Sequence, residues 1–220
     1  MTAPTDRAEV VSAPSEPWRV LDQTPDYLII RKPDRLLSQP GVGPNKTDSL
    51  ITRVQAEYPE ALIVHRLDWD TSGLMVLARS KAAHRALSIE FQERRTEKRY
   101  RARVDRPIDP AEGWIDRPIG IDRAHRPRSK IDVERGRPAQ TRYAVTAWDE
   151  QAAWLDLWPI TGRSHQLRVH LLSIGHPIQG DTLYHPEAAR HPRLMLHAEY
   201  LAFADPRSGD WRVYEDRAPF

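Results

Sequence analysis

A run of polar and charged residues, His65 to Gly73, separates two apolar segments of the chain. The apolar segments predict strands, so the polar residues between them form a loop. Loops held by a rigid scaffold are where catalytic groups concentrate. Asp68 and Asp70 are the carboxylates of this loop, and each could act as a nucleophile or cap a turn through the nearby backbone. For Asp70 the turn cap is the favoured interpretation.

A second polar cluster runs from Thr161 to Arg168 and opens a predicted helix, for which Ser164 is the expected N-cap. The free N–H groups at such a helix start, with Arg163 beside them, would suit a phosphate. Arg168 lies at the edge of the apolar stripe of this helix, and a partly buried arginine requires a carboxylate partner. Asp68 is the candidate that we expect to pair with it.

Tyrosine and arginine alternate in a basic stretch, RRTEKRYRAR, that spans Arg94 to Arg103. The alternation predicts a strand with Tyr100 on its apolar face and with Arg99 and Arg101 on the other. Two interpretations stay open. The ring stacks on a nucleobase while the arginines hold phosphates, or the tyrosine packs in the core and the arginines are solvated.

Histidines and carboxylates raise the alternative of a metal-dependent phosphoesterase with His65, Asp68 and Asp70 as ligands. Alternate residues of an extended segment point to opposite faces, so the two carboxylates share one ion only if the loop bends sharply. His165 and His170 are five positions apart. This spacing does not place them on one helix face, which favours capping or core packing over metal binding. We therefore expect no metal site.

The composition limits the class of protein. The 33 Lys and Arg residues against 31 Asp and Glu leave a net charge of +2, and the basic residues are overwhelmingly arginine, which suits phosphate binding. GC-rich coding DNA would produce the same arginine bias. The absence of cysteine excludes disulfides, thiol catalysts and cysteine zinc sites. Neither an export signal nor an apolar run of about 18 residues is present, so we expect a cytoplasmic protein without a membrane partner.

The elements that must position these residues follow from apolar runs and alternation. Strands are predicted at YLIIRKP from Tyr27, on both sides of the polar loop, and at KRYRARV, TRYAVTAW, AWLDLWPI, LMLHAEYLAF and WRVYE. Helices are predicted to begin at Thr47 or Asp48, at Lys81, and at the segment HQLRVHLLSI. The stretch 107–138 is rich in Pro and Gly and is interpreted as mostly loop.

The 220 residues divide unevenly. Residues 1–18 lack apolar periodicity and predict a flexible lead-in that could dock only through Trp18, whereas residues 19–220 predict a single catalytic domain without internal repeats. Predicted strands outnumber helices and are mostly joined by turns. The expected fold class is therefore α+β, with a mixed, mostly antiparallel central sheet and flanking helices and loops around a catalytic cleft.

Four motifs together resemble the RluA-type pseudouridine synthases. The run from His65 to Leu74 is similar to the HRLDxxTSG signature, and Lys98 to Ala102 resembles the KxYxA strand. GRSHQLRVH resembles GRxHQLRxH, and HPIQGD resembles HPIxGD. The matches span most of residues 20–203 and are similar to the short members without an N-terminal S4-type RNA-binding domain. One departure is the pair Asp34-Arg35, where the family usually has Ser-Gly after Lys-Pro.

The resemblance implies the pseudouridine synthase fold and a role for each motif residue. Asp68 would be the catalytic nucleophile, Tyr100 would pack against the target base, and Arg168 would pair with Asp68 at the base of the cleft. Arg66 would enter the RNA stack in place of the flipped uridine. The other implied substrate-binding residues are His65, Thr71, Arg163, Arg99 and Arg101.

The implied reaction is isomerisation of one uridine of a stem-loop, in the anticodon arm of transfer RNA, in large-subunit ribosomal RNA, or in both. It cuts the N1–C1′ bond, rotates the base and rejoins it through C5. The target base must leave the stack, so base flipping is expected. No group or electron transfer occurs, so no cofactor is implied, and we expect a monomer. The alternative is a non-catalytic RNA-binding module, which would need none of Asp68, Tyr100 and Arg168.

Overall fold

The computed structural model describes residues 13–42 and 46–220. Most of the predicted lead-in, residues 1–12, lies outside the described residues. The ring of Trp18, near the end of that segment, is partly buried against the core that includes Leu28, Leu50 and Leu77. The division into a lead-in and one catalytic domain stays a prediction.

Within the described residues the fold consists of twelve strands and three α-helices. The strands are β1 (Arg19–Gln23), β2 (Tyr27–Lys32), β3 (Leu62–Ile63), β4 (Ser72–Ala78), β5 (Glu97–Asp105), β6 (Glu112–Asp116), β7 (Ile119–Ile121), β8 (Ser129–Ile131), β9 (Gln140–Trp148), β10 (Ala152–Pro159), β11 (Leu196–Ala204) and β12 (Trp211–Glu215). The α-helices are α1 (Leu50–Gln55), α2 (Lys81–Gln92) and α3 (Gln166–Ser173). A short 3-10 helix, Ala188–Arg190, lies between α3 and β11.

One large sheet runs in the order β1-β2-β4-β11-β5-β10-β9-β6, with β3 beside β4 and β12 beside β11. Only the β4–β11 pair of the large sheet is parallel, and the other pairs are antiparallel. Strands β7 and β8 form a separate two-stranded sheet. The predicted α+β class with a mixed, mostly antiparallel sheet is confirmed.

Helices cover both faces of the sheet around β2 and β4, which explains why these strands are apolar without alternation. Helix α1 packs through Leu50 and Val54 on one face, in a core that includes Leu28 and Met75. On the other face α2 packs through Leu87. A third core lies under α3 and joins β5 to β10. The three cores meet around the parallel pair, where the polar loop enters β4.

The sequence-based boundaries need three corrections. Strand β1 was not predicted, and β6, β7 and β8 lie in the stretch 107–138 that was interpreted as loop. These strands are short and bounded by Pro and Gly, so their alternation is weak. Helix α1 begins later than predicted, because Ser49 forms a capping box with Thr52. The predicted start of α2 at Lys81 is confirmed, with Ser80 as N-cap.

Gly73 allows the parallel strands to meet beside the polar loop. Its φ is +119°, and a Cβ atom there would lie 2.3 Å from the carbonyl oxygen of Ala198 on β11. The two residues are register partners in the β4–β11 pair. A larger residue would push the strands apart at the point where the loop from His65 to Thr71 ends.

Candidate active site

A cavity of about 520 Å³ opens between the polar loop, β5 and the start of α3. The lining brings together residues from three of the four motifs, although they lie far apart in the chain. Those to which the family resemblance assigns a role are His65, Arg66, Asp68, Thr71, Tyr100, Arg163 and Arg168. Arg99 and Arg101 are not part of this lining.

The polar loop is anchored to the segment after β2. The Ser38 hydroxyl donates to the carbonyl of Leu67 at 2.8 Å and accepts from the amide N–H of Leu67 at 3.0 Å. The backbone N–H of Leu36 donates to the carbonyl of Trp69 at 3.2 Å. Leu67 and Trp69, the two neighbours of Asp68, are therefore held by Ser38 and by the backbone of Leu36. These contacts limit the movement of the Asp68 carboxylate.

Lys32 strengthens this anchor from inside the core. Its side chain is fully buried, and Nζ donates to the carbonyl oxygens of Pro33, Leu36 and Trp69 at 2.8, 2.7 and 3.2 Å. Burial lowers the pKa of Lys32 to about 7, and the negative charge of Asp68 opposes that shift. Sequence reasoning did not single out Lys32 or Ser38. The only signal was a lysine at the end of a mostly apolar strand, where a buried charge needs partners.

The pair Asp34-Arg35, which departs from the family pattern, includes a backbone conformation that is unusual for an arginine. Arg35 has φ +53°, in the left-handed region that favours glycine. The carboxylate of Asp34 is buried and lies 3.1 Å from Nε of Arg35 and 3.8 Å from Nη1 of Arg193. These cations compensate the buried charge.

Arg168 lies beside Asp68 as predicted, but its closest partner is a different carboxylate. Nε and Nη2 donate to the two carboxylate oxygens of Asp181 at 2.7 and 2.6 Å. The nearest distance from the guanidinium to Asp68 is 3.8 Å, from Nη1 to Oδ2. Asp68 is thus the secondary partner, which corrects the expected pair. The reason is geometric, since a bidentate pair occupies one whole edge of the guanidinium.

Asp181 belongs to the HPIQGD motif and is held in place from several sides. Its side chain is fully buried, and Oδ1 also accepts from the amide N–H of Leu183 at 3.0 Å. Gly180 has φ +74°, and a Cβ there would lie 1.8 Å from the carbonyl oxygen of Arg193, so only glycine fits. The ring of Tyr184 lies 5.2 Å from the guanidinium carbon of Arg168. Together these contacts fix Arg168 in one position.

Asp68 itself is left with one long ionic contact and without a short hydrogen bond to its carboxylate within the described residues. Its side chain is 20% exposed, whereas that of Arg168 is 2% exposed. The carboxylate therefore reaches the cavity, and the cation lies beneath it. The exposed carboxylate oxygen is placed to act as a nucleophile towards a substrate in the cavity.

Asp70 does not cap a turn, which corrects the interpretation from spacing. Its carboxylate points inwards and lies 4.0 Å from Nη2 of Arg168, and its side chain is 14% exposed. Burial raises the pKa of Asp70, and the positive charge of Arg168 opposes that rise. The loop bends sharply enough to direct the carboxylates of Asp68 and Asp70 towards one cation, which is the guanidinium of Arg168.

Tyr100 lies on the apolar face of β5 and forms part of the cavity wall. The predicted alternation along this strand is confirmed, because Ala102 and Val104 are buried in the same core. Burial raises the pKa of the Tyr100 hydroxyl, and the nearby negative charge of Asp68 raises it further. The hydroxyl is thus neutral and can donate or accept a hydrogen bond beside the carboxylate.

His65 and Thr71, at the two ends of the polar loop, are partly structural. The ring of His65 stacks on Phe91 with 4.3 Å between centroids, and Nε2 accepts from the backbone N–H of Val76 at 3.1 Å. Burial lowers the pKa of His65 to about 3, so the ring is neutral. Thr71 is buried in the cavity wall, and its hydroxyl has no hydrogen-bond partner among the described residues.

Arg66 and Arg163 reach the cavity from opposite sides. Arg66 is exposed, and neither residue has a carboxylate within 4.0 Å in the described part of the chain. Nε of Arg163 donates to the carbonyl of Pro138 at 3.0 Å, which directs the guanidinium. Burial lowers the pKa of Arg163, and the positive charges of Arg137 and Arg94 add to that effect.

Arg99 and Arg101 lie on the opposite face of the sheet from Tyr100, as the alternation predicts, and they do not line the cavity, which argues against the substrate-binding role that was expected of them. Arg101 lies 3.2 Å from the carboxylate of Asp156, and Arg99 lies 3.3 Å from that of Glu199. Strand register produces these pairs, because Asp156 is opposite Arg101 in the β5–β10 pair. They are ion-paired rather than solvated.

The start of α3 also differs from the prediction. His165, not Ser164, precedes the first helical residue, with φ +56° and no side-chain cap. Gln166 instead closes the turn, since Oε1 accepts from the Thr161 hydroxyl at 2.7 Å and from the N–H of Arg163 at 3.0 Å. That N–H is therefore not free for a phosphate.

The two histidines of this segment have structural contacts. His165 Nδ1 lies 2.8 Å from the hydroxyl of Tyr184, and buried His170 lies 2.9 Å from the Thr141 hydroxyl and from the Arg117 carbonyl. Across residues 13–42 and 46–220, no three His, Asp or Glu side chains are arranged to hold a metal ion. In the same ranges no helix is both long and apolar enough to cross a membrane.

Comparison with known proteins agrees with the geometry of the cavity. The profile of the RNA pseudouridylate synthase family matches residues 26–173. The dual-specificity RNA pseudouridine synthase RluA of Escherichia coli K12 is 47% identical over 216 residues, which cover 96% of this chain and 99% of the relative. The protein of the same name from Yersinia pestis is 47% identical over 204 residues, or 91% of this chain and 99% of the relative.

Two solved human structures have the same fold. RNA Pseudouridylate Synthase Domain Containing 1 is 30% identical, with a TM-score of 0.74 over 93% of this chain and 85% of that chain. RNA Pseudouridylate Synthase Domain Containing 4 is 26% identical, with a TM-score of 0.72 over 91% of this chain and 88% of that chain. The chain therefore belongs to the RluA-type RNA pseudouridine synthases, which are isomerases acting on RNA.

Proposed function

We propose that this protein isomerises one uridine of a stem-loop to pseudouridine in both transfer RNA and large-subunit ribosomal RNA, with Asp68 as nucleophile. The observation that carries the proposal is the Asp68 carboxylate in the cavity, 3.8 Å from a guanidinium that Asp181 already holds. The dual substrate is supported by relatives that are named dual-specificity RNA pseudouridine synthases and match nearly end to end.

The chain's residues suit each step of the isomerisation. Asp68 reacts with C1′ or with the uracil ring as the N1–C1′ bond breaks, and either route needs an ionised, accessible carboxylate. The base then turns, C5 bonds to C1′ and the bond to Asp68 breaks, which returns the free carboxylate; the proton on C5 leaves and N1 gains a proton. Tyr100 packs against the base, and its neutral hydroxyl lies near the atoms that exchange protons. Arg168, 3.8 Å from Asp68, holds that carboxylate in place.

Access to the glycosidic bond requires the uridine to leave the RNA stack. Arg66 is exposed at the edge of the cavity and is suited to enter the vacated position. Thr71 offers its unpartnered hydroxyl to the base or the ribose inside the cavity. We further propose that the protein acts as a monomer in the cytoplasm, where these RNAs are found.

Five cations line the cavity without a carboxylate within 4.0 Å in the described ranges, and they mark the proposed phosphate path. They are Arg66, Arg94, Lys98, Arg137 and Arg163. Unpaired cations attract phosphates more strongly than paired ones, because no protein carboxylate has to be displaced. The wall around Asp68 is thus strongly positive, although the whole chain has a net charge of only +2.

RNA affinity should depend steeply on salt, and the dependence should come from these cavity cations. Replacing Arg137 or Arg163 with glutamine should reduce the slope of log affinity against log salt by about one per residue. Arg101→Gln is the matched control on the opposite face and should leave the slope unchanged. Filter binding of a stem-loop at several salt concentrations makes the measurement. An equal effect of all three substitutions would contradict the phosphate path.

The function itself is tested by incubating the purified protein with unmodified transfer RNA and ribosomal RNA and mapping pseudouridine at single-nucleotide resolution. We expect one modified uridine in each RNA, in similar loops. Modification of one RNA alone would overturn the dual specificity. Binding without any pseudouridine would instead support the non-catalytic RNA-binding module.

A further inference from the structure

A second, smaller pocket of about 220 Å³ adjoins the catalytic cavity. Arg94, Lys98, Pro159 and Ile160 line both spaces, so the two are neighbours. Trp158, Tyr200, Thr96 and Glu97 complete the wall of the smaller one. We call it the strand-gap pocket. No step proposed above uses it.

The pocket exists because β5 and β10 separate at one end. Their pairing stops at Leu157 opposite Tyr100. Beyond that point Trp158 pairs with Arg142 of β9, and Arg99 pairs with Tyr200 of β11. A gap therefore opens between Arg99 of β5 and Trp158 of β10, next to Tyr100 and at the edge of the catalytic cavity.

Aromatic and apolar side chains form the far side of the gap. Trp158 follows Leu157, so its ring lies on the opposite face of the sheet from Tyr100. Guanidinium groups lie against both rings: Arg142 is 4.9 Å from the centroid of Trp158, and Arg99 is 5.5 Å from that of Tyr200. The pocket beside the cavity is thus bounded by two oriented rings.

Charge and hydrogen-bonding capacity at the entrance suit a nucleotide. Lys98 and Arg94 have no carboxylate within 4.0 Å in the ranges described. Glu97 is the only carboxylate of the lining, and it is exposed. Thr96 is 8% exposed, and its hydroxyl has no hydrogen-bond partner in the described part of the chain. A buried unpaired hydroxyl costs free energy unless a ligand satisfies it.

We propose that the strand-gap pocket holds one unpaired nucleobase next to the target uridine in the RNA, with Trp158 and Ile160 against the base and Arg94 and Lys98 at its phosphate. Aromatic walls with cations at the mouth are how proteins bind unstacked bases. A pocket of less than half the volume of the catalytic cavity suits a single planar base. The inference rests on the proposed function and defines its substrate as a loop in which the neighbour of the target is also unpaired.

The test combines a protein variant with an RNA variant. Trp158→Ala removes the ring, and Trp148→Ala is the matched control, because Trp148 is a 65% exposed residue outside the pocket. Each protein is assayed in single turnover on an intact stem-loop and on loops with an abasic nucleotide directly 5′ or 3′ of the target. Thermal melts confirm that both variants fold.

For Trp158→Ala we expect the RNA concentration at half-maximal rate to rise about tenfold, with the maximal rate within about twofold of the original. For the original protein, one of the abasic loops should raise the RNA concentration at half-maximal rate by the same factor. For Trp158→Ala, that loop should cause no further rise. Trp148→Ala should behave like the original protein. Independent effects of the two changes, or no effect, would overturn the pocket assignment while leaving the proposed function intact.

A measurement on the unsubstituted protein keeps the inference testable if Trp158→Ala fails to fold. A 5-iodouridine beside the target should crosslink to the peptide that contains Trp158 or Tyr200 on irradiation, and one placed three nucleotides away should not. Crosslinks confined to other peptides would overturn the inference. Failure of the unsubstituted protein to form pseudouridine would overturn the proposed function, and the pocket assignment with it.

Discussion

Asp68→Asn should abolish pseudouridine formation while leaving the fold and RNA affinity nearly intact. The amide is almost isosteric with the carboxylate, but it carries no charge and cannot act as a nucleophile. The loop contacts that position residue 68 are made by its neighbours Leu67 and Trp69, so they persist in the variant. We expect the single-turnover rate to fall by about 10³-fold or more and RNA affinity to stay within about tenfold.

Asp70→Asn is the matched control for that experiment. It makes the same chemical change two positions away, in a residue that faces Arg168 but does not line the cavity. The variant should retain most of the rate. Turnover by Asp68→Asn, or an equal loss in both variants, would exclude Asp68 as the nucleophile.

Arg168→Met should cause the second large effect, a joint loss of activity and stability. The substitution leaves the buried carboxylate of Asp181 without its bidentate partner, and breaking a buried pair costs about 3–5 kcal/mol. It also removes the cation that lies 3.8 Å from Asp68. Denaturant unfolding should show the lost stability, and single-turnover kinetics the lost activity.

A double-mutant cycle separates the two losses. Adding Asp181→Asn to Arg168→Met removes the unpaired charge, so part of the lost unfolding free energy should return. Activity should not return, because Asp68 still lacks its cation. The exposed pair of Arg53 with Asp48 is the control, and Arg53→Met should cost about 1 kcal/mol or less. Additive losses in the cycle would contradict the pair of Arg168 with Asp181.

Several features of the site could be predicted from local sequence patterns. The run His65 to Gly73 was recognisable as a functional loop because its polarity contrasts with the two apolar segments around it. The strict alternation in β5 determined that Tyr100 and Ala102 share a face, since side chains of a strand point to opposite sides in turn. The types of the residues and the alternation of polar and apolar residues along the chain are sufficient for these two predictions.

Tertiary structure alone decided which charges meet. Asp181 lies 13 positions from Arg168 in the chain, and Asp68 lies 100 positions away, yet the nearer partner could not be chosen from spacing. Similarly, Arg99 and Arg163 look equivalent in sequence, but strand register gives a carboxylate only to Arg99. An ion pair depends on the distance and direction between two side chains. Those quantities are set by the packing of remote segments, which local pattern does not encode.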